Sequence, residues 1–194
     1  MAQREIYISV DIEADGPCPG INNMLSFGAA AFDLESPTPR VPIATFQANL
    51  ECLPGAKADP DTAKWWDGQI CVPMFGDKDT RPANQVMPEF VEWVRALPYK
   101  PIVVGYPVTF DFTFLYYYTM AFGGVEKSPF GFAGLDLKTM AMERMGTTFS
   151  NTGKRAMPKS WFEGCPKHDH VALTVAIGQG ILFVNMKLEE SNVI

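Results

Sequence analysis

Residues Ile6 to Glu13 constrain the fold more than any other segment. Ile6, Ile8, Val10 and Ile12 alternate with Tyr7, Ser9, Asp11 and Glu13, the period of two that marks a β-strand. The aliphatic set needs a hydrophobic layer beneath it. Asp11 and Glu13 share the opposite face, about 7 Å apart along the strand. Two carboxylates so placed at the end of an apolar strand repel each other unless a cation sits between them. A hard divalent ion such as Mg²⁺ suits an all-oxygen site. The other reading is a strand that runs out into a solvated acidic turn at Asp15 and Gly16.

Two further strands are expected at Ser26–Asp33 and Ile43–Glu51, which with the first make an antiparallel meander. Asp59-Pro60-Asp61 opens a helix through Trp66, with an Asp cap and proline at the first helical position. Trp65 and Trp66 are adjacent, so they cannot both face the core; Trp66 is taken as a base-stacking candidate. Thr80–Leu97 reads as an amphipathic helix whose apolar stripe is Val86, Phe90, Trp93, Val94 and Leu97. Ile102–Gly105 is apolar throughout, as in a strand buried on both faces. A helix ending at Gly123-Gly124 follows it, then a short one from Leu137 to Met145 capped by Asp136 and closed by Gly146. The last helix runs from about Ala172 to Leu188. A meander followed by strand and helix alternation predicts an α/β fold with a mixed sheet flanked by helices, and a single domain over residues 1–194.

Composition narrows the function classes. The 194 residues carry a formal net charge of −6, which disfavours broad nonspecific adhesion to nucleic acid but suits a site whose ligands are acidic and whose cations are bound. The four cysteines, Cys18, Cys52, Cys71 and Cys165, form no Cys-x-x-Cys pair. Free thiols, a cytoplasmic setting and no membrane span are expected. The long irregular stretch Phe149–Lys167 holds Lys154 and Arg155, a candidate phosphate-facing loop.

Asp111 lies between Phe110 and Phe112 just after the strand at 102–105. A carboxylate set among aromatics is costly unless it is paired or metal-bound. Near the end, His170 opens the final helix. Asp11-x-Glu13 at a strand end, Phe110-Asp111-x-x-Phe114-Leu115 after a second strand, and the late His170 together resemble the DEDD 3′–5′ exonucleases of the histidine-containing type. That superfamily includes ribonuclease T, oligoribonuclease and polymerase proofreading domains, and the Asp59–Trp66 helix is most similar to its small bacterial or phage exoribonucleases. The resemblance implies a ribonuclease H-like fold with a five-stranded mixed sheet. It implies hydrolysis of phosphodiesters at the 3′ end of single-stranded nucleic acid, RNA before DNA, releasing 5′ mononucleotides. It further implies two divalent ions, Mg²⁺ or Mn²⁺, and a possible homodimer. Asp11 would bridge both ions, Glu13 and Asp111 would hold one each, and His170 would take the proton of the attacking water. Asn22, Asn23, Met24 and Leu25 would contact the terminal nucleotide.

One position departs from the pattern. The family sequence His-x-Ala-x-x-Asp reads His170-Val-Ala-Leu-Thr-Val175 here, so the fourth carboxylate falls on Val175 and impaired activity is expected. Two alternatives stand beside this reading. One is an inactive member of the fold that binds nucleic acid; the other is a zinc site at Cys165, His168 and His170.

Overall fold

The computed structural model describes residues 3–66 and 79–191. Strands β1 (Glu5–Ala14), β2 (Met24–Phe32) and β3 (Ala44–Leu50) form the antiparallel meander. After them come helix α1 (Pro60–Trp66), strand β4 (Thr80–Arg81), helix α2 (Ala83–Arg95), strand β5 (Lys100–Gly105), helix α3 (Val108–Phe122), strand β6 (Gly134–Asp136) and helix α4 (Leu137–Met145). Three short 3₁₀ turns lead into helix α5 (Ala172–Ser191). Among the described residues the sheet has six strands in the order β4-β3-β2-β1-β5-β6, with β5 and β6 parallel to their neighbours. This is the ribonuclease H-like architecture, with one strand more than expected.

The extra strand is β4. Thr80 and Arg81 pair in parallel with Asn49 and Leu50, and Pro82 then stops the ladder and opens α2. The helix expected from Thr80 therefore begins at Ala83. Strand β6 has only three residues, too few for a periodic signal. The other elements form where the sequence places them, within a few residues.

The alternation along β1 distributes the two cores. Ile8, Val10 and Ile12 pack with Phe27, Val86, Phe90, Phe114 and Leu115 under α2 and α3. On the other face, Ala30, Phe32 and Val104 pack against Leu182, Phe183 and Val184 of α5. Asp11 and Glu13 thus belong to the face that α5 covers. Two glycines let α5 approach closely: a methyl group at Gly28, opposite Asp11 in the β1–β2 register, would strike the backbone at Leu173, and one at Gly180 would strike the Phe32 ring.

Candidate active site

Asp111 stands in the first turn of α3, directly after β5, the strand parallel to β1. It is 3% exposed. Its Oδ1 accepts the Ile12 N–H at 3.1 Å, which sets the carboxylate beside the backbone link between Asp11 and Glu13. Two acids of β1 and a third from 99 positions beyond Ile12 therefore meet at one end of the sheet. Asp11 accepts a hydrogen bond on Oδ1 from Nε2 of Gln179 in α5, at 2.8 Å.

The electrostatics follow from burial and like charge. Burial, Asp111 and Glu13 hold the Asp11 carboxyl well above the usual carboxylate range, against the opposing pull of Lys154 and Gln179. Burial and Asp111 push Glu13 up to about 8. Burial pushes Asp111 up to about 7, although the Ile12 amide and Lys154 favour its charged form. None of the three is in an ion pair among the described residues. As they stand, no three His, Cys, Asp or Glu side chains among the described residues close round a single point tightly enough to hold a metal ion. The donor set nevertheless has the chemistry of a hard-cation site: all oxygen, mutually repelling and largely withdrawn from water.

His170 precedes α5 with φ of 58°, a left-handed conformation that histidine adopts more readily than most residues. Its ring meets Trp65 edge-on at 5.4 Å and lies 4.3 Å from His168. Its ring also lies 6.4 Å from Trp66, and among the described residues it makes no hydrogen bond to the three carboxylates. Val175 is buried and lines a cavity of about 120 Å³ together with Lys154, His168, Gly178 and Gln179. Lys154 rises from an exposed 3₁₀ turn, with its ammonium 5.1 Å from the Tyr106 ring centre. Arg155 beside it is exposed.

Several expected contacts are corrected. Asn22, Asn23, Met24 and Leu25 are all buried. Asn22 accepts from the Cys18 N–H and donates to the Lys57 carbonyl. Asn23 donates from both nitrogens to Asp15 and accepts from the Leu53 N–H. Both asparagines are spent on building the loop after β1, and neither side chain is offered to a ligand. Trp66 is 2% exposed with its indole N–H on the Ala14 carbonyl, whereas Trp65 is 47% exposed; the half-exposed ring beside His170 is Trp65. The Cys165 thiol donates to the Gly178 carbonyl, and Cys165, His168 and His170 do not form a metal-holding group among the described residues. The described cysteines are free thiols, and Cys71 lies outside the described residues. Gln179 escaped the sequence reading, where the sole hint was a polar residue on the sheet-facing side of an apolar helix.

No family model matches the chain. It is 30% identical over 141 residues to the 3′-5′ DNA exonuclease Cap18 of Escherichia coli, covering 71% of this chain and 68% of that protein. Among solved structures, the nuclease domain of 3′hExo, a DEDDh family member bound to rAMP, superposes with a TM-score of 0.69 at 13% identity, covering 95% of this chain and 92% of that one. Pop2p of S. pombe in its Mg²⁺- and Mn²⁺-bound form gives 0.68 at 12% identity over 93% and 82%. The E. coli ExoI–ssDNA complex gives 0.68 at 13% over 98% of this chain and 42% of that one. These structural likenesses carry the fold, the identity to Cap18 carries the kinship, and together they show that the chain belongs to the DEDD-type 3′–5′ exonuclease superfamily.

Proposed function

We propose that this protein is a divalent-metal-dependent exonuclease that removes 5′ mononucleotides from the 3′ end of single-stranded nucleic acid. The observation that carries this reading is the hydrogen bond from the Ile12 amide to Asp111, which draws the α3 carboxylate in beside Asp11 and Glu13. In this reading Asp11, Glu13 and Asp111 hold the metal. A bound divalent ion would supply neutralisation of phosphate charge and a more acidic water. His170 accepts the proton of the attacking water, and Trp65 stacks on a base near the scissile end. Cap18 is named for DNA, and on that ground we place DNA ahead of RNA as substrate. Val175 presents no oxygen to the site, which supports a turnover below that of a site with four acids.

The test is a time course on 5′-labelled and 3′-labelled single-stranded DNA and RNA with Mn²⁺, beside Asp11→Asn. Stepwise shortening from the 3′ end, abolished by EDTA and by the substitution, is the expected result. Val175 also favours a second reading, a member that grips a 3′ end without cutting it. Metal-dependent binding with no shortening of any substrate would select that one.

A further inference from the structure

We propose that Tyr106, Lys138, Phe149 and Lys154 form the platform on which the strand 5′ of the scissile linkage lies, with a base on the exposed Phe149 ring and phosphates on the two lysines. The inference rests on the single-strand reading above and adds to it the path by which the rest of the substrate leaves the site.

These residues come from three segments that the fold ties together beside Asp111. Tyr106 follows Gly105, the last residue of β5, and a methyl group at Gly105 would stand 3.4 Å from Oδ2 of Asp111. Lys138 is in the first turn of α4, whose cap Asp136 accepts the Val108 N–H at 2.9 Å and so joins α4 to the start of α3. The Tyr106 hydroxyl donates to the carbonyl of the fully buried Thr152, whose own hydroxyl donates to the Phe149 carbonyl at 2.6 Å. The turn that carries Phe149 is therefore held by the strand end next to Asp111.

The Lys138 ammonium lies 4.7 Å from the Phe149 ring centre and 5.8 Å from that of Tyr106, and the Lys154 ammonium lies 5.1 Å from Tyr106. Neither lysine is in an ion pair among the described residues. Asp136, two positions before Lys138, already accepts from Thr139 on Oδ1 and from Val108 on Oδ2. Phe149 is 49% exposed. In a chain of net charge −6, cations interleaved with aromatic rings on one surface fit a single strand: a ring face takes any base, and ammonium groups follow the phosphates. A terminal nucleotide ends inside the site, whereas the remaining strand has to leave across the surface. This cationic surface begins beside Asp111.

Fluorescence anisotropy of a 5′-labelled oligothymidylate of about ten nucleotides, titrated with the full chain in EDTA at low salt, reads binding apart from cutting. The unaltered chain is expected to bind it, more weakly as salt rises. Phe149→Ala weakens binding about tenfold and leaves the salt dependence as it was, and Phe149→Trp restores the affinity. Lys138→Met weakens binding and lowers the slope of log affinity against log salt by about 0.7, the loss of one phosphate contact. No binding by the unaltered chain, full affinity in Phe149→Ala, or an unaltered slope in Lys138→Met would each overturn the inference. The lysine measurement stands even if Phe149→Ala does not fold. Binding with these variant effects, but no shortening of the same oligonucleotide once Mn²⁺ is added, would support the platform and remove the cutting activity on which the wider reading rests.

Discussion

Gln179 of α5 donates its Nε2 to Oδ1 of Asp11 of β1 at 2.8 Å, joining the last helix to the first strand across 168 positions. This contact steadies one of the two Asp11 oxygens and favours the charged form of the carboxylate. Gln179→Leu is expected to lower kcat on a single-stranded oligonucleotide by about tenfold, with little change in Tm. The orphaned Oε1 disappears together with the hydrogen bond, so the two stability effects oppose each other. Gln179→Glu, which keeps the shape but adds a negative charge, should instead tighten Mn²⁺ binding.

The acid cluster makes the metal-free protein sensitive to pH. Glu13 and Asp111, at about 8 and about 7, hold protons in the native state that they release on unfolding above their ordinary range near 4. The native state therefore binds more protons than the unfolded chain, and stability falls as pH rises from about 4 to about 8. The expected observation is a Tm in EDTA that declines across that interval, with the decline reduced in Asp111→Asn and cancelled by Mn²⁺. A flat profile in EDTA would contradict the burial that holds these carboxyls protonated.

Trp65 and Trp66 should separate binding from folding. Trp66 is enclosed and donates to Ala14, so Trp66→Ala should cost about 3–5 kcal/mol of stability, read by chemical denaturation. Trp65→Ala should cost under about 1 kcal/mol. Its effect should fall on KM for single-stranded substrate, raised several-fold through the loss of base stacking.

The loop after β1 depends on Asp15, a fully buried carboxylate held at 2.5 Å by both the backbone and side-chain nitrogens of Asn23. Asp15→Ala strands the Asn23 donors and should destabilise by about 2–3 kcal/mol. Asn23→Ala should cost as much, because it also unpairs the Leu53 N–H. If either variant melted like the parent and lost only substrate affinity, the asparagine would belong to the ligand and not to the loop.

Long periodic segments were legible in the sequence. Ile6 to Glu13, the α3 segment around Asp111 and the apolar repeat of α5 each carry enough residues for their period to show, and they bring three of the candidate residues to one end of the sheet. Strands β4 and β6, of two and three residues, exist only because neighbouring strands offer them hydrogen bonds. Asn22 and Asn23 look available in a sequence, since polar loop residues commonly face water; here the backbone of a tight loop consumes them. The choice between Trp65 and Trp66 was not legible either. Helix α1 has seven residues, so the ring that turns inward is set by how the helix docks, and a short sequence holds no record of that. Lys154 was visible as a basic residue, but its place in one cavity with Gln179, which in turn holds Asp11, is a property of the fold.

The closeness of α5 to the sheet has a consequence for how the superfamily site tolerates change. Gly28 and Gly180 leave no room for a side chain between helix and sheet: one at Gly28 would push on the start of α5 at Leu173, and one at Gly180 on the Phe32 ring. The point at which the chain leaves the turn at His170 and enters the helix is thereby indexed to the strand that lies opposite Asp11. Substitutions of Val175 change the chemistry of the site within an unaltered frame, whereas a single methyl group added at Gly28 would put that frame out of alignment and carry His170 away with it.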